Sequence, residues 1–566
     1  MSATKEKLII YQALVRLFGN TNMTRLREGS IEDNGCGKMS DFNEKALRSI
    51  KQLGCNCIWF TGMLQQASAT DYSRFGVPVQ SPQVLKGKAG SPYAITDYYA
   101  VSCDLADDPA RRLSEFDDLV KRTHKVGLRI ILDFVPNHVA RQYHSVMRPA
   151  GVVDLGEMDR TDYRFDPQNN FYYCGEALHL DNVGVPAQEQ TYVENPAKVS
   201  GNDVFHAWPS RSDWYETVKL NYGVDYCGGG RFCFDPIPNT WHKMLHILLY
   251  WCSKGVDAFR CDMAFMVPVD FWHWAIAQVK EQYPDVLFIA EIYDPVLYQN
   301  FIDYGGFDYL YDKVGLYDTL RAIVECRESA SALTRCWQSV EPIQEHMLNF
   351  LENHDEQRVA SRFFAGSAEK AYPALAVSLL MHTNPFMLYF GQELGEQGME
   401  SEGFSGCDGR TTIFDYWALE SMQGWIGRDH SYCTSGIAPK AAAIRRYYSK
   451  MLHLSQAEVF SQGRFYDLTY CNYGNDRYDI HRQFAFIRHT EREVVLVVAN
   501  FDPEAKKVKL NVPVDAWHFV GIKRGGECRM HDLLTDQERT IQLDLQQPVA
   551  VRVPGYGASI ERIELV

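Results

Sequence analysis

The feature that most restricts how this chain can fold is a rhythm. Eight short, nearly apolar runs recur along it, and segments of helical periodicity separate most of them. KLIIYQALVRLF (residues 7–18) is strand-like, and NEKALRSIKQLG (43–54) has helical spacing ended by a glycine. The strand-like runs continue with CIWFTGML (57–64), LRIILDFVPNH (128–138), GVDAFRCD (255–262), DVLFIAEIY (285–293), FDYLYD (307–312), HMLNFLENHD (346–355) and PFMLYFGQE (385–393). Helical spacing recurs at 111–127, 241–255, 270–283 and about 370–381. Strands apolar on both faces and alternating with helices imply a parallel sheet covered on its outer side. Eight β-then-α units are the number that closes a barrel. An open doubly wound sheet is the competing arrangement, but no GxGxxG turn opens a first helix, so a dinucleotide fold lacks its main support.

Two segments break the rhythm. Residues 139–215 are rich in Pro, Asn, Asp, Gly and Tyr and are too long for a structureless loop, so they should form an inserted domain or lid. Beyond about residue 455 the pattern turns all-β, with FAFIRHT, EVVLVVANF, KKVKLNVP, TIQLDLQ and AVRVP separated by turn residues. The expected organisation is α/β: a barrel in two parts (1–138 and 216–455), an insertion (139–215) after the third strand, and an antiparallel β-sandwich (456–566).

A formal charge of −15 argues against nucleic acid or an anionic membrane as partner, and leaves neutral ligands open. No run approaches the roughly 20 apolar residues of a membrane span. The fifteen cysteines are scattered with no CxxC pair, and several sit in apolar runs as small core residues do. With no leader-like apolar run after MSATKEKLII, they suggest a reducing, cytoplasmic setting.

In a closed β/α barrel the C-terminal strand ends form the active face. Four of the proposed strands end in acids: Asp133, Asp262, Glu291 and Asp355, with Asn137, His138, Arg260 and His354 close by. An acid at one strand end is often a helix cap or a solvated turn. Four converging on one mouth raise one another's pKa values, which a stable fold gains nothing from, so the group reads as catalytic. Paired carboxylates without a phosphate loop, an HExxH motif or a Ser–His pair point to glycosidic bond chemistry. Arg260, two residues before Asp262, shares its face of the strand and keeps that carboxylate ionised and oriented, as a nucleophile needs.

DFVPNH (133–138), GVDAFRCD (255–262), IAEIY (289–293) and FLENHD (350–355) resemble, in order, the four signature stretches of the α-amylase superfamily, glycoside hydrolase family 13. SPYAITDYYAV (91–101), VKLNYG (218–223) and PFMLYFGQE add to the likeness. The resemblance implies a (β/α)8 TIM barrel with a B domain after strand three and a C-terminal β-sandwich. It also implies retaining double displacement on α-linked oligo- or polysaccharides, with no cofactor required for the chemistry. On this reading Asp262 is the nucleophile, Glu291 the general acid/base and Asp355 the stabiliser of the distorted sugar ring. Arg260 holds the nucleophile, His138 and His354 bond sugar hydroxyls, Tyr93 is a stacking platform, and Asp97 is a structural or sugar-contacting acid. Asn137 matches a position that often donates to a structural Ca2+ between barrel and B domain; no further ligands are identifiable.

The chain also departs from the family pattern. Many α-amylases carry Lys-His at the third and fourth positions after the nucleophile, where Phe265 and Met266 stand here, so an apolar acceptor side is expected. A hydrolase of α-glucans or malto-oligosaccharides leads these readings. A transglycosidase using the same covalent intermediate is its near rival, and a non-catalytic carbohydrate-binding protein stands further off because all three carboxylates are present.

Overall fold

The computed structural model describes residues 6–398 and 406–565. Its centre is a closed barrel of eight parallel strands: β1 (Ile9–Leu14), β2 (Cys57–Thr61), β3 (Arg129–Phe134), β4 (Ala258–Cys261), β5 (Leu287–Ala290), β6 (Tyr309–Tyr311), β7 (Met347–Phe350) and β8 (Phe386–Tyr389). Each pairs with its neighbours in sequence, and β8 closes on β1 through Ile9–Phe386 and Gln12–Tyr389.

Alternation along the strands divides two cores. Leu8, Ile10, Cys57, Trp59, Ile131, Ala258, Ile289, Leu348, Phe350 and Met387 fill the barrel interior. Ile9, Tyr11, Ile58, Phe60, Ile130, Leu132, Phe259 and Phe288 point outward to the helices. The period of two therefore carries Gln12, Thr61, Asp133 and Arg260 inward, and Asp262 and Glu291 follow the same register just past their strand ends. The helices lie where the periodicity places them. Glu44–Leu53 is capped by the Asn43 side chain and ends at Gly54 (φ 118°), and Arg112–Val126 ends at Gly127 (φ 81°).

The insertion leaves and re-enters the barrel through a two-stranded ladder, His138–Ala140 against Thr217–Lys219, so its return strand runs slightly beyond residue 215. Tyr172, Cys174, Leu178, Leu180, Val199 and Tyr215 form its own core, together with Val84 from the loop after β2.

The barrel's last helix, Pro439–Ser455, is followed by the C-terminal domain. Its strands are β9 (Arg464–Asp467), β10 (Gln483–His489), β11 (Val494–Asn500), β12 (Lys506–Leu510), β13 (Gly526–Asp532), β14 (Gln537–Leu543), β15 (Val549–Val553) and β16 (Gly557–Leu565). Six make an antiparallel sheet in the order β9-β10-β11-β16-β13-β14, and β12 pairs with β15 as the second layer. Strands β9, β13 and β16 were not distinguishable by alternation alone, because charged residues interrupt RFYD, GECRMHD and GASIERIEL. The fifteen cysteines are free thiols. Among the described residues no helix is long and apolar enough to cross a membrane.

Candidate active site

A cleft of about 500 Å3 opens at the C-terminal ends of the strands, lined in part by Tyr93, His138, Asp262, Glu291 and Asp355. At its floor lies Arg260, 1% exposed, held by the packing of β4 inside the barrel. Its Nη1 is 2.6 Å from Asp262 Oδ1 and 3.6 Å from Asp133 Oδ1, and its Nη2 is 2.7 Å from Glu291 Oε2. Nε donates to the Tyr311 hydroxyl at 3.2 Å. The guanidinium also lies 5.3 Å from the ring centres of Trp59 and Tyr93 and 5.6 Å from that of Tyr311. An aromatic box with a two-pronged cation thus holds two carboxylates at once, a geometry that a planar guanidinium supports and a point charge does not.

Glu291 accepts from the Tyr293 hydroxyl at 2.5 Å and from the Met263 N–H at 2.8 Å. To present that N–H, Met263 adopts a left-handed conformation (φ 43°, ψ 43°), an uncommon backbone state for a non-glycine residue beside a reacting centre. Burial raises the pKa of Glu291, the Asp262 charge adds to the shift, and Arg260, Tyr293 and Met263 oppose it. Burial raises Asp262 too, against the pull of Arg260. Asp133, which accepts from the Gly62 N–H at 3.1 Å, is pushed up to about 7 by burial.

Asp355 sits at the open edge, with 40% of its side chain exposed to the cleft. The cleft walls and the charge of Glu291 raise its carboxyl, and water in the open cleft moderates that shift. His354 is fully enclosed. Gln12 Nε2 donates to its Nδ1 at 2.9 Å, so its Nε2–H donates to Tyr93 Oη at 2.5 Å, and the same nitrogen lies 3.0 Å from Asp355 Oδ2. Burial and Arg260 hold His354 well below its ordinary pKa, so it is neutral and orients Asp355. His138 is likewise lowered, to about 3, by burial and by Lys219 and Lys86; its ring packs on Trp214 at 5.1 Å.

Three sequence-based expectations change. Asp97 does not face the cleft. It is 1% exposed, and its oxygens accept from Ser145 Oγ and the N–H groups of Tyr99, Val146 and Met147, so it fixes the first turn of the insertion. Phe265 and Met266 do not line the cleft either. Past Asp262 the chain turns at Met263 into a single 3-10 turn, Ala264–Met266, which takes their side chains off the strand register. Met263 lines the wall in their place, and Phe265 packs edge-on against Tyr293 at 6.3 Å. Asn137 is not free for a metal: its Oδ1 accepts from Lys219 Nζ at 2.8 Å. Among the described residues no group of three or more His, Cys, Asp or Glu is placed to hold a metal ion.

The structure also brings in residues that the motifs do not mark. Gln12 was detectable as the lone polar residue within an apolar strand. Trp214, Lys86 and Arg410 line the cleft from irregular loops, where no periodicity marks them, and Lys313 lines it from the start of a short π-helix, Lys313–Tyr317. Lys86 pairs with Glu216 at 3.0 Å, and Arg410 Nε donates to the Asp355 carbonyl at 2.6 Å.

Fold and site together define a (β/α)8-barrel protein with a carboxylate cleft at its strand ends, bordered by an inserted domain. The chain belongs to the alpha-amylase family, whose catalytic-domain description matches residues 16–435. It is 22% identical over 403 residues to alpha-amylase MalA of Haloarcula japonica, covering 71% of this chain and 46% of that one. It is 40% identical over 257 residues to an alpha-1,4-glucan:maltose-1-phosphate maltosyltransferase of Cereibacter sphaeroides, covering 44% of this chain and 28% of that one. The chain thus spans less than half the length of these two relatives. A maltogenic alpha-amylase from Thermotoga neapolitana superposes with a TM-score of 0.62 over the full length of both chains at 22% identity, which is likeness of fold.

Proposed function

We propose that this protein cleaves α-glucosidic bonds of α-glucans or malto-oligosaccharides by retaining double displacement and releases the glycosyl group to water. The observation that carries the reading is the pairing of Asp262 and Glu291 on the two ends of one guanidinium, with Nη1 2.6 Å from Asp262 and Nη2 2.7 Å from Glu291. Inverting glycosidases keep their carboxyls about 6.5–9.5 Å apart to admit a water between them, and retaining ones hold them closer.

Asp262, ionised against Arg260, attacks the anomeric carbon. Glu291, its pKa raised by burial and by Asp262, delivers a proton to the departing glycosidic oxygen. The glycosyl–Asp262 ester is then hydrolysed by water deprotonated by Glu291, now a carboxylate, and Asp262 is released. Asp355, held by His354, accepts hydrogen bonds from sugar hydroxyls as the ring flattens. Tyr93 and Trp214 offer faces to the sugar, and His138 walls the cleft between them. The free thiols support a reducing compartment.

A second reading, transfer to another sugar, is favoured by the 40% identity to a maltosyltransferase and by the apolar Met263 in the cleft wall. Incubation with maltoheptaose, with products resolved by chain length and Asp262→Asn as control, separates the two. Shorter products alone, absent in the variant, support hydrolysis. Products both shorter and longer than the donor support transfer, and no change in either sample refutes both.

A further inference from the structure

The joint between barrel and insertion contains a buried cation that the reaction does not use. In the ladder that carries the chain out of the barrel and back, Lys219 lies opposite His138. Its side chain is 2% exposed, and its Nζ reaches Asp203 Oδ1 at 2.5 Å and Asn137 Oδ1 at 2.8 Å, with the Tyr226 ring centre 5.4 Å away. The other end of the Asn137 amide donates to the Gly201 carbonyl at 2.7 Å and lies 3.2 Å from His138 Nδ1. Asp203 stands in the left-handed region (φ 66°) in the same turn of the insertion. One ammonium therefore joins three pieces of chain: the end of the third barrel strand, the turn around Asp203 at the base of the insertion and the returning strand.

We propose that the Lys219 ammonium is the resident cation of this joint, occupying the place beside Asn137 where a structural calcium would be held, so that the joint is stable without a divalent ion. Calcium needs six to eight oxygens at about 2.3–2.6 Å. Here the Asn137 oxygen already serves an ammonium, and a divalent ion beside it would be repelled by the Lys219 charge. Asp203 neutralises the single positive charge that is present, whereas a calcium would leave charge over. An ammonium with two strong acceptors and an aromatic face is a satisfied buried cation. Removing it leaves a buried amide oxygen unpaired and takes the counter-charge from a partly exposed carboxylate.

The test uses the full chain and needs no substrate, so its result stands apart from the fate of the proposed reaction. Calcium content is measured after gel filtration in metal-free buffer, and thermal unfolding is followed with EDTA, with millimolar CaCl2 and with neither. We expect far less than one calcium per chain and the same midpoint in all three conditions. Lys219→Met should lower the midpoint by about 3–5 °C, and Lys219→Arg should recover part of that loss. Asp203→Asn removes the counter-charge at a partly exposed side chain and should lower the midpoint by about 1–2 °C, which keeps the proposal testable if Lys219→Met does not fold. One calcium per chain whose removal by EDTA lowers the midpoint would overturn the proposal. So would variants of Lys219 and Asp203 that melt with the wild type.

Discussion

Replacing Arg260 by lysine should separate the two jobs that its guanidinium performs. The guanidinium donates to Asp262 at 2.6 Å and to the Tyr311 hydroxyl at 3.2 Å, and its Nη2 lies 2.7 Å from Glu291 as an ion pair. A lysine ammonium in the same aromatic box can hold one carboxylate well but not both in fixed register. One hydrogen bond to a charged group is worth about 1.5–3 kcal/mol. Losing about 2–3 kcal/mol of orientation in the transition state corresponds to a drop of about 30–150-fold in kcat. A second effect should accompany the first. Arg260 pulls the carboxyls of Asp262 and Glu291 down against burial. With that pull weakened, both pKa values rise, and the nucleophile is protonated at a higher pH than in the wild type. The acidic limb of kcat/KM against pH should therefore move upward. The assay is initial-rate hydrolysis of a malto-oligosaccharide across the pH range, with circular dichroism to confirm the fold. A folded Arg260→Lys variant with wild-type kcat and an unmoved acidic limb would refute the assignment of Arg260 as the shared clamp.

Tyr293→Phe removes a donor that favours the charged form of Glu291. The basic limb of the pH profile should move upward, while stability changes little; a basic limb that falls or stays put counts against Glu291 as the proton donor. Trp214→Ala strips an aromatic face from the cleft wall and should raise KM about tenfold, leaving kcat within a few-fold of wild type. A fall in kcat at unchanged KM would place Trp214 in the chemistry instead. Gly90→Ala should destabilise by about 2–4 kcal/mol, read by urea unfolding. Gly90 has φ +71°, and a Cβ there would stand 1.8 Å from the Ala67 carbonyl oxygen.

The parts of the site on regular strands were legible from sequence because a period of two is unambiguous. Arg260 and Asp262, two apart, had to share a face, and strand burial made that face the barrel interior. The expectation for Phe265 and Met266 rested on their positions in the family pattern, and the left-handed Met263, whose N–H donates to Glu291, turns the chain so that they lie off the cleft. Asp97 lies within a motif matched by resemblance, and only the tertiary path of residues 145–147 shows that its four hydrogen bonds are already taken. Asn137 was recognisable as a cation ligand, but the cation is supplied by Lys219, 82 residues further along the chain. Trp214, Lys86 and Arg410 reach the cleft from loops whose course is set by packing against one another, which leaves no local pattern to read.

The central claim is that Asp262 forms a covalent bond to the sugar. The direct measurement is mass spectrometry of a proteolytic digest after incubation with a slow fluorinated α-glucosyl fluoride that accumulates the glycosyl-enzyme. The account predicts one added glycosyl mass on the peptide carrying Asp262, absent from Asp262→Asn. Turnover of the reagent with no adduct on that peptide, or an adduct on another carboxylate, would contradict it.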